Sequence, residues 1–149
     1  MSWIFLVAVL TVIAGTDGLS KRSFMPGGAK ILTEEEIKND KILQSENIFM
    51  QIADTYNKMS NSLFASRIAD TVEVKKRIVA GVEYEITIQF TPTECKKNAD
   101  KYTKDDLQKC QFSADNGRPQ TCTFTAWFRP WLILGVPQPV KIEMKSCRQ

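Results

Sequence analysis

Cys95, Cys110, Cys122 and Cys147 are the chain's only thiols, and its 149 residues include no histidine. Without an imidazole there is no Ser-His or Cys-His nucleophile pair, no zincin motif and no histidine general base. No two cysteines have the Cys-x-x-Cys spacing of a zinc or redox site. An even number of them, all in the second half of the chain, reads instead as disulfides formed in an oxidising compartment. Bridged sulfurs leave no thiolate. Glu34, Glu35 and Glu36 are the remaining candidates for acid-base work. Sequence neighbours point in different directions and cannot flank one bond, whereas acids in a first helical turn meet its dipole favourably. The chain is therefore read as a non-enzyme, with no metal and no cofactor.

The elements that must carry the cysteines decide how they pair. Val82, Tyr84, Ile86, Ile88 and Phe90 share one phase and Glu83, Glu85, Thr87 and Gln89 the other, which is the alternation of a half-buried antiparallel strand. A long strand from about Leu63 to Val79, with Ile68, Val72 and Val74 among its apolar positions, is its hairpin partner. Residues 122–128 (CTFTAWF) and 140–147 (VKIEMKSC) alternate as a second hairpin. Its midpoint falls at Leu134–Gly135, so Cys122 and Cys147 stand opposite each other near its open end. Of three pairings, the strand pattern selects Cys95–Cys110 and Cys122–Cys147, each loop stabilising by about 3 kcal/mol in the chain-entropy model. The polar runs 96–109 and 111–121 read as surface excursions.

Before the strands lies a helical region. Thr33 and Glu36 form a capping box, so a helix can begin there, although the polar run 38–47 also allows a start near Asn39. Ile48, Phe49, Ile52, Ala53, Tyr56 and Met59 make one apolar stripe at helical spacing, which belongs to the core. Asn61 is a candidate left-handed C-terminal cap. Residues 29–32 (AKIL) form a short first strand if any. The expected fold is α+β: one long helix packed across a curled, four- to five-stranded antiparallel sheet.

Composition is that of an ordinary globular chain, 43% apolar and 25% charged. A formal charge of +3, thinly spread, gives no basis for nucleic-acid binding. The apolar block from Trp3 to Ala14 is too short to span a bilayer but matches the core of a signal peptide. Cleavage after Gly18 leaves small residues at the usual positions; cleavage after Gly15 also fits. The expectation is a signal peptide over 1–18 and a secreted single domain over 19–149. Its N-terminal trunk, about 19–28, contains Pro26, Gly27 and Gly28 and is expected to be mobile.

Three segments are apolar or glycine-containing where a core explains them poorly. Ile78-Val79-Ala80-Gly81 occupies the tip of the first hairpin, and Arg129-Pro130-Trp131, followed by Leu132, Ile133 and Leu134, lies near the tip of the second. Met25-Pro26-Gly27-Gly28 lies in the trunk. Consecutive hairpins bring both tips to one end of a sheet. Exposed apolar residues with a tryptophan there mark a binding surface.

These residues resemble the cystatins, specifically the secreted two-disulfide type. The first-loop pattern Gln-x-Val-x-Gly reads here Arg77-Ile78-Val79-Ala80-Gly81; the second-loop Pro-Trp is Pro130-Trp131; the N-terminal glycine is Gly27. Tyr56-Asn57-Lys58 and Ser60-Asn61 match the helix end, and the likeness runs from about Met25 to Cys147. The resemblance implies a tight, reversible inhibitor of papain-like cysteine proteases such as cathepsins L, S and B, and a monomer. A three-part wedge would enter the active-site cleft, with Met25 and Pro26 in the non-primed subsites. Gly27 would carry the chain away from the catalytic cysteine, Val79 and its neighbours would fill the centre, and Trp131 would pack on the primed side. Arg77 departs from the usual glutamine, and the helical region and the segment after Trp131 are longer than usual. Some relatives also offer an asparagine to legumain in a Ser-Asn-Asp loop; here it reads Ser60-Asn61-Ser62. The alternative is a secreted protein of the same fold with a non-inhibitory, immunomodulatory or antimicrobial role.

Overall fold

The computed structural model describes residues 27–97, 104–134 and 139–149. The leader, Met25 and Pro26 lie outside the described residues. Five antiparallel strands follow one another in chain order: β1 Lys30–Ile31, β2 Phe64–Ile78, β3 Val82–Lys96, β4 Gln120–Phe128 and β5 Val140–Arg148. The β3 alternation is realised as expected. Tyr84, Ile86, Ile88 and Phe90 are fully buried, facing the same core as Cys122, Phe124 and Ala126 of β4. Three register shifts in β2, between Phe64 and Glu73, twist that strand and curl the sheet.

One long helix was expected over this sheet; three short ones are found, α1 Glu34–Asn39, α2 Lys41–Ser45 and α3 Ile48–Met59. The capping box of Thr33 and Glu36 starts α1. Asp40 then takes an extended backbone (φ −72°, ψ 112°) and its carboxylate accepts from the Ile42 and Leu43 amides, which ends one helix and caps the next. Asn47 adopts a left-handed conformation, φ 49°, and separates α2 from α3.

α3 lies against the sheet through Ile48, Ile52, Ala53 and Tyr56, each large apolar side chain contributing roughly 2 kcal/mol by its burial. Tyr56 stacks on Phe90 at 4.0 Å and donates its hydroxyl to Gln120. Asn57 joins the helix to β2 by exchanging hydrogen bonds with the Ser66 backbone at 2.8 Å. One stripe expectation fails, since Met59 is exposed, and of the apolar positions of β2 Val72 is exposed as well. Met59 is the last residue of α3, beyond the covered turn, and Val72 lies within a register shift of β2.

Asn61 is not a left-handed cap. α3 ends at an extended Ser60, and the Lys97 ammonium, 2.7 Å from the Asn57 carbonyl and 2.8 Å from that of Ser60, satisfies the helix end instead. Both disulfides form in the expected pairing, Cys95–Cys110 and Cys122–Cys147. The polar excursion between the first two contains a short helix, α4 Lys104–Lys109. Among the described residues no helix is long and apolar enough to cross a membrane.

Candidate functional site

The two hairpin tips singled out in the sequence meet at one end of the sheet, and Gly27 and Gly28, the described part of the third segment, lead into β1 beside them. Ile78 pairs with Val82 across the first hairpin, Val82 with Phe128, and Phe128 with Val140, so the tips of both hairpins lie side by side. Lys30 of β1 stands opposite Lys76, and continuing that register places Gly27 level with Val79. Gly27 has φ +85°, and a Cβ there would meet no atom within 4 Å. Its glycine is favoured by backbone conformation, not by crowding.

Gly81 answers to both. Its φ is +110°, and a Cβ would lie 2.3 Å from the Phe128 carbonyl oxygen and 3.2 Å from Trp127 Nε1. It therefore does more than turn the chain: it allows the second hairpin to press against the first. Ala80, next to it, is left-handed at φ 35°, an unfavourable conformation for a residue with a Cβ. Trp127 Nε1 donates to the Ala80 carbonyl at 3.1 Å, and the Arg129 guanidinium lies over the Trp127 ring at 4.7 Å. The indole is thus a strut between the tips. Sequence reasoning missed this role, although a signal existed: Trp127 falls in the outward phase of β4, opposite to Phe124 and Ala126.

At the tip, Ile78 is 60% exposed and Trp131 54% exposed, while Val79 is half-buried. Trp131 is not a core residue. Pro130–Leu134 form a 3-10 turn, closed by the Leu132 amide on the Arg129 carbonyl, that holds Pro130 and Trp131 outward. Arg77 is exposed, but its charge is not free. It faces Glu83 across the hairpin and hydrogen-bonds its carboxylate, which raises the guanidinium pKa still further.

Ser60, Asn61 and Ser62 lie at the opposite end of β2, on the order of 45 Å away at about 3.3 Å per residue of strand. Asn61 is exposed. The Ser60 hydroxyl accepts from the Ser62 amide and the Ser62 hydroxyl from the Phe64 amide, so serine side chains brace the loop on both sides of Asn61. Burial pulls the Lys97 pKa down beneath it.

Helix, sheet and bridges define a two-disulfide α+β domain that presents two hairpin tips side by side at one end. The family model described as the Cystatin domain matches residues 41–131. Cystatin-1 of Chilobrachys guangxiensis is 37% identical over 127 residues, with 83% of each chain covered. Cystatin of Gallus gallus is 30% identical over 131 residues, covering 87% of this chain and 86% of its own. The crystal structure of Al-CPI superimposes with a TM-score of 0.62 at 26% identity, covering 82% of this chain and 98% of that one. The chain belongs to the cystatin family, and its two disulfides make it type 2-like. Its general role is that of a cysteine protease inhibitor, not of an enzyme.

Proposed function

We propose that the chain inhibits papain-like cysteine proteases of the cathepsin type by lodging three segments in the active-site cleft, reversibly and as a monomer. The segments are Met25-Pro26-Gly27, Arg77 to Gly81, and Pro130-Trp131. One observation carries this reading: exposed Ile78 and Trp131 share one edge, where the Trp127–Ala80 hydrogen bond ties the two tips together. A wedge already shaped loses little entropy on binding, which supports tight inhibition from a small contact. The mature, secreted form over 19–149 is part of the same proposal.

Titration of the mature protein into papain and cathepsins B and L tests it, with Gly27→Glu and Trp131→Ala alongside. Stoichiometric inhibition, weakened by either substitution, is expected. Full protease activity in the presence of the unmutated protein overturns the reading and leaves the non-inhibitory alternative.

A second inhibitory site, for legumain, is proposed at Ser60-Asn61-Ser62. It is favoured by the exposure of Asn61 on a braced loop remote from the wedge. Asn61→Ala is expected to abolish legumain inhibition and spare papain inhibition; equal legumain inhibition by both proteins removes this site.

A further inference from the structure

The helical extension before α3 has no part in the wedge, yet it encloses the base of the trunk. A groove of about 690 Å³ opens there, lined by Gly28, Leu32, Ile42 and Ile78 among others. A closed ring of contacts surrounds it. Lys30 stands opposite Lys76 in the two-residue ladder of β1 on β2. Lys76 Nζ lies 2.6 Å from Asp40 Oδ2. Asp40 ends α1, and Glu36, one turn back, pairs with Lys30. Two cations on neighbouring strands thus face two carboxylates of α1 and its C-cap, Lys76 on Asp40 and Lys30 on Glu36.

The members are unequal. Lys30 and Glu36 are largely solvated, so their pair is weak. The Asp40 side chain is only 6% exposed, and both its oxygens are occupied. Besides Lys76 it accepts from the Tyr84 hydroxyl at 2.8 Å and from the Ile42 and Leu43 amides at 3.1 Å each. A buried, fully satisfied carboxylate has one position, since any displacement strands several partners at once. By contrast, β1 has two residues, both exposed, and beyond them the Leu32 amide bonds the Val74 carbonyl at 2.9 Å. So short an edge strand opens readily on its own.

We propose that Asp40 is a positioning residue for the trunk: held by Lys76 and Tyr84, and linked through α1 and Glu36 to Lys30, it fixes where the chain at Gly27 leaves the sheet beside the first hairpin tip. Asp40 and α1 precede the residues matched by the family model. The benefit to inhibition rests on the wedge reading; the anchoring of β1 does not.

Two measurements on the full mature protein separate these. Residue-resolved amide exchange of the free protein reads the anchor: Asp40→Asn is expected to speed exchange at Leu32 about tenfold while Ile86 and Phe124 keep their rates. Unchanged exchange at Leu32 overturns the proposal. If Asp40→Asn loses protection throughout, Glu36→Gln, on the solvated side of the ring, decides in its place. It is expected to speed exchange at Leu32 by about two- to threefold, less than Asp40→Asn because its pair is solvated, and no change there overturns the proposal.

Inhibition constants against papain read the consequence in two double-mutant cycles. Asp40→Asn and Met25→Gly are each expected to weaken inhibition about tenfold and to do no more together, while Asp40→Asn and Trp131→Ala multiply to about a hundredfold. Multiplication in both cycles, or coupling in both, overturns the assignment to the trunk. Papain left active by the unmutated protein ends the wedge reading, and the exchange experiment still decides the anchor.

Discussion

The indole of Trp127 holds the apex of the neighbouring hairpin: its Nε1 donates to the Ala80 carbonyl across 3.1 Å. Ala80 is the residue whose left-handed backbone is least favourable there, and Gly81 beside it lies against the Phe128 carbonyl. Strain of this kind persists where surrounding contacts over-determine it, as at ligand-binding loops. A tryptophan on one hairpin thereby shapes the exposed edge of the other.

Trp127→Phe keeps a ring beneath Arg129 and removes the donor. Stability is expected to fall by about 1 kcal/mol, and inhibition of papain to weaken several-fold as the tips move independently. Urea unfolding and inhibition constants, measured together, check this. A stability loss with undiminished inhibition would leave the bond a purely structural role.

Gly81→Ala meets two obstacles, the positive φ and the Phe128 oxygen. Destabilisation of about 2 kcal/mol is expected, a drop of about 6 °C in Tm for a chain of this size. Gly27→Ala, with open space around its Cβ, is expected to lower Tm less. Thermal unfolding of the two variants side by side gives the comparison.

The Asp40 carboxyl sets a pH dependence. Burial alone would raise its pKa, but the Lys76 ammonium, the Tyr84 hydroxyl and the Leu43 amide outweigh that and hold it below the usual value. Its contribution to stability is therefore fully present above roughly pH 4, where the unfolded carboxyl titrates, and is lost as pH falls through the lowered native value. The stability gap between the unmutated protein and Asp40→Asn is expected to be constant from about pH 7 to pH 5 and to narrow in stronger acid. Urea midpoints across that range measure it; a gap that widens in acid contradicts it.

Arg77→Gln restores the residue usual for the family at the edge of the first loop. The Arg77 side chain is exposed and its pair with Glu83 lies at the edge of the hairpin, so the unfolding midpoint is expected to move little. Inhibition is expected to change instead, and to lose part of its salt dependence, because a charge next to the proposed wedge has been removed. Inhibition constants at low and high ionic strength test this.

Much of the fold was legible in residues with short-range periodicity. The phase of Tyr84 to Phe90 identified the buried face of β3, and the spacing of Cys122 and Cys147 about Leu134–Gly135 identified their hairpin and bridge. The capping box at Thr33 was equally local. The length of the helix was not legible, because Asp40 interrupts it in part for a reason outside its own neighbourhood: it is drawn into contact with Lys76 and Tyr84, residues of two different strands.

The sequence alone determined which segments are strands, which cysteines face each other, and that Ile78 and Trp131 stand outside the core. Each of those follows from alternation, spacing and turn chemistry within a few residues. Only the tertiary structure decided that Gly81 must yield space to Phe128, that Trp127 reaches Ala80, and that Lys97 caps α3 where Asn61 was expected to. Such meetings depend on strand register and on the bulges of β2, and these are set by packing the whole sheet against α3.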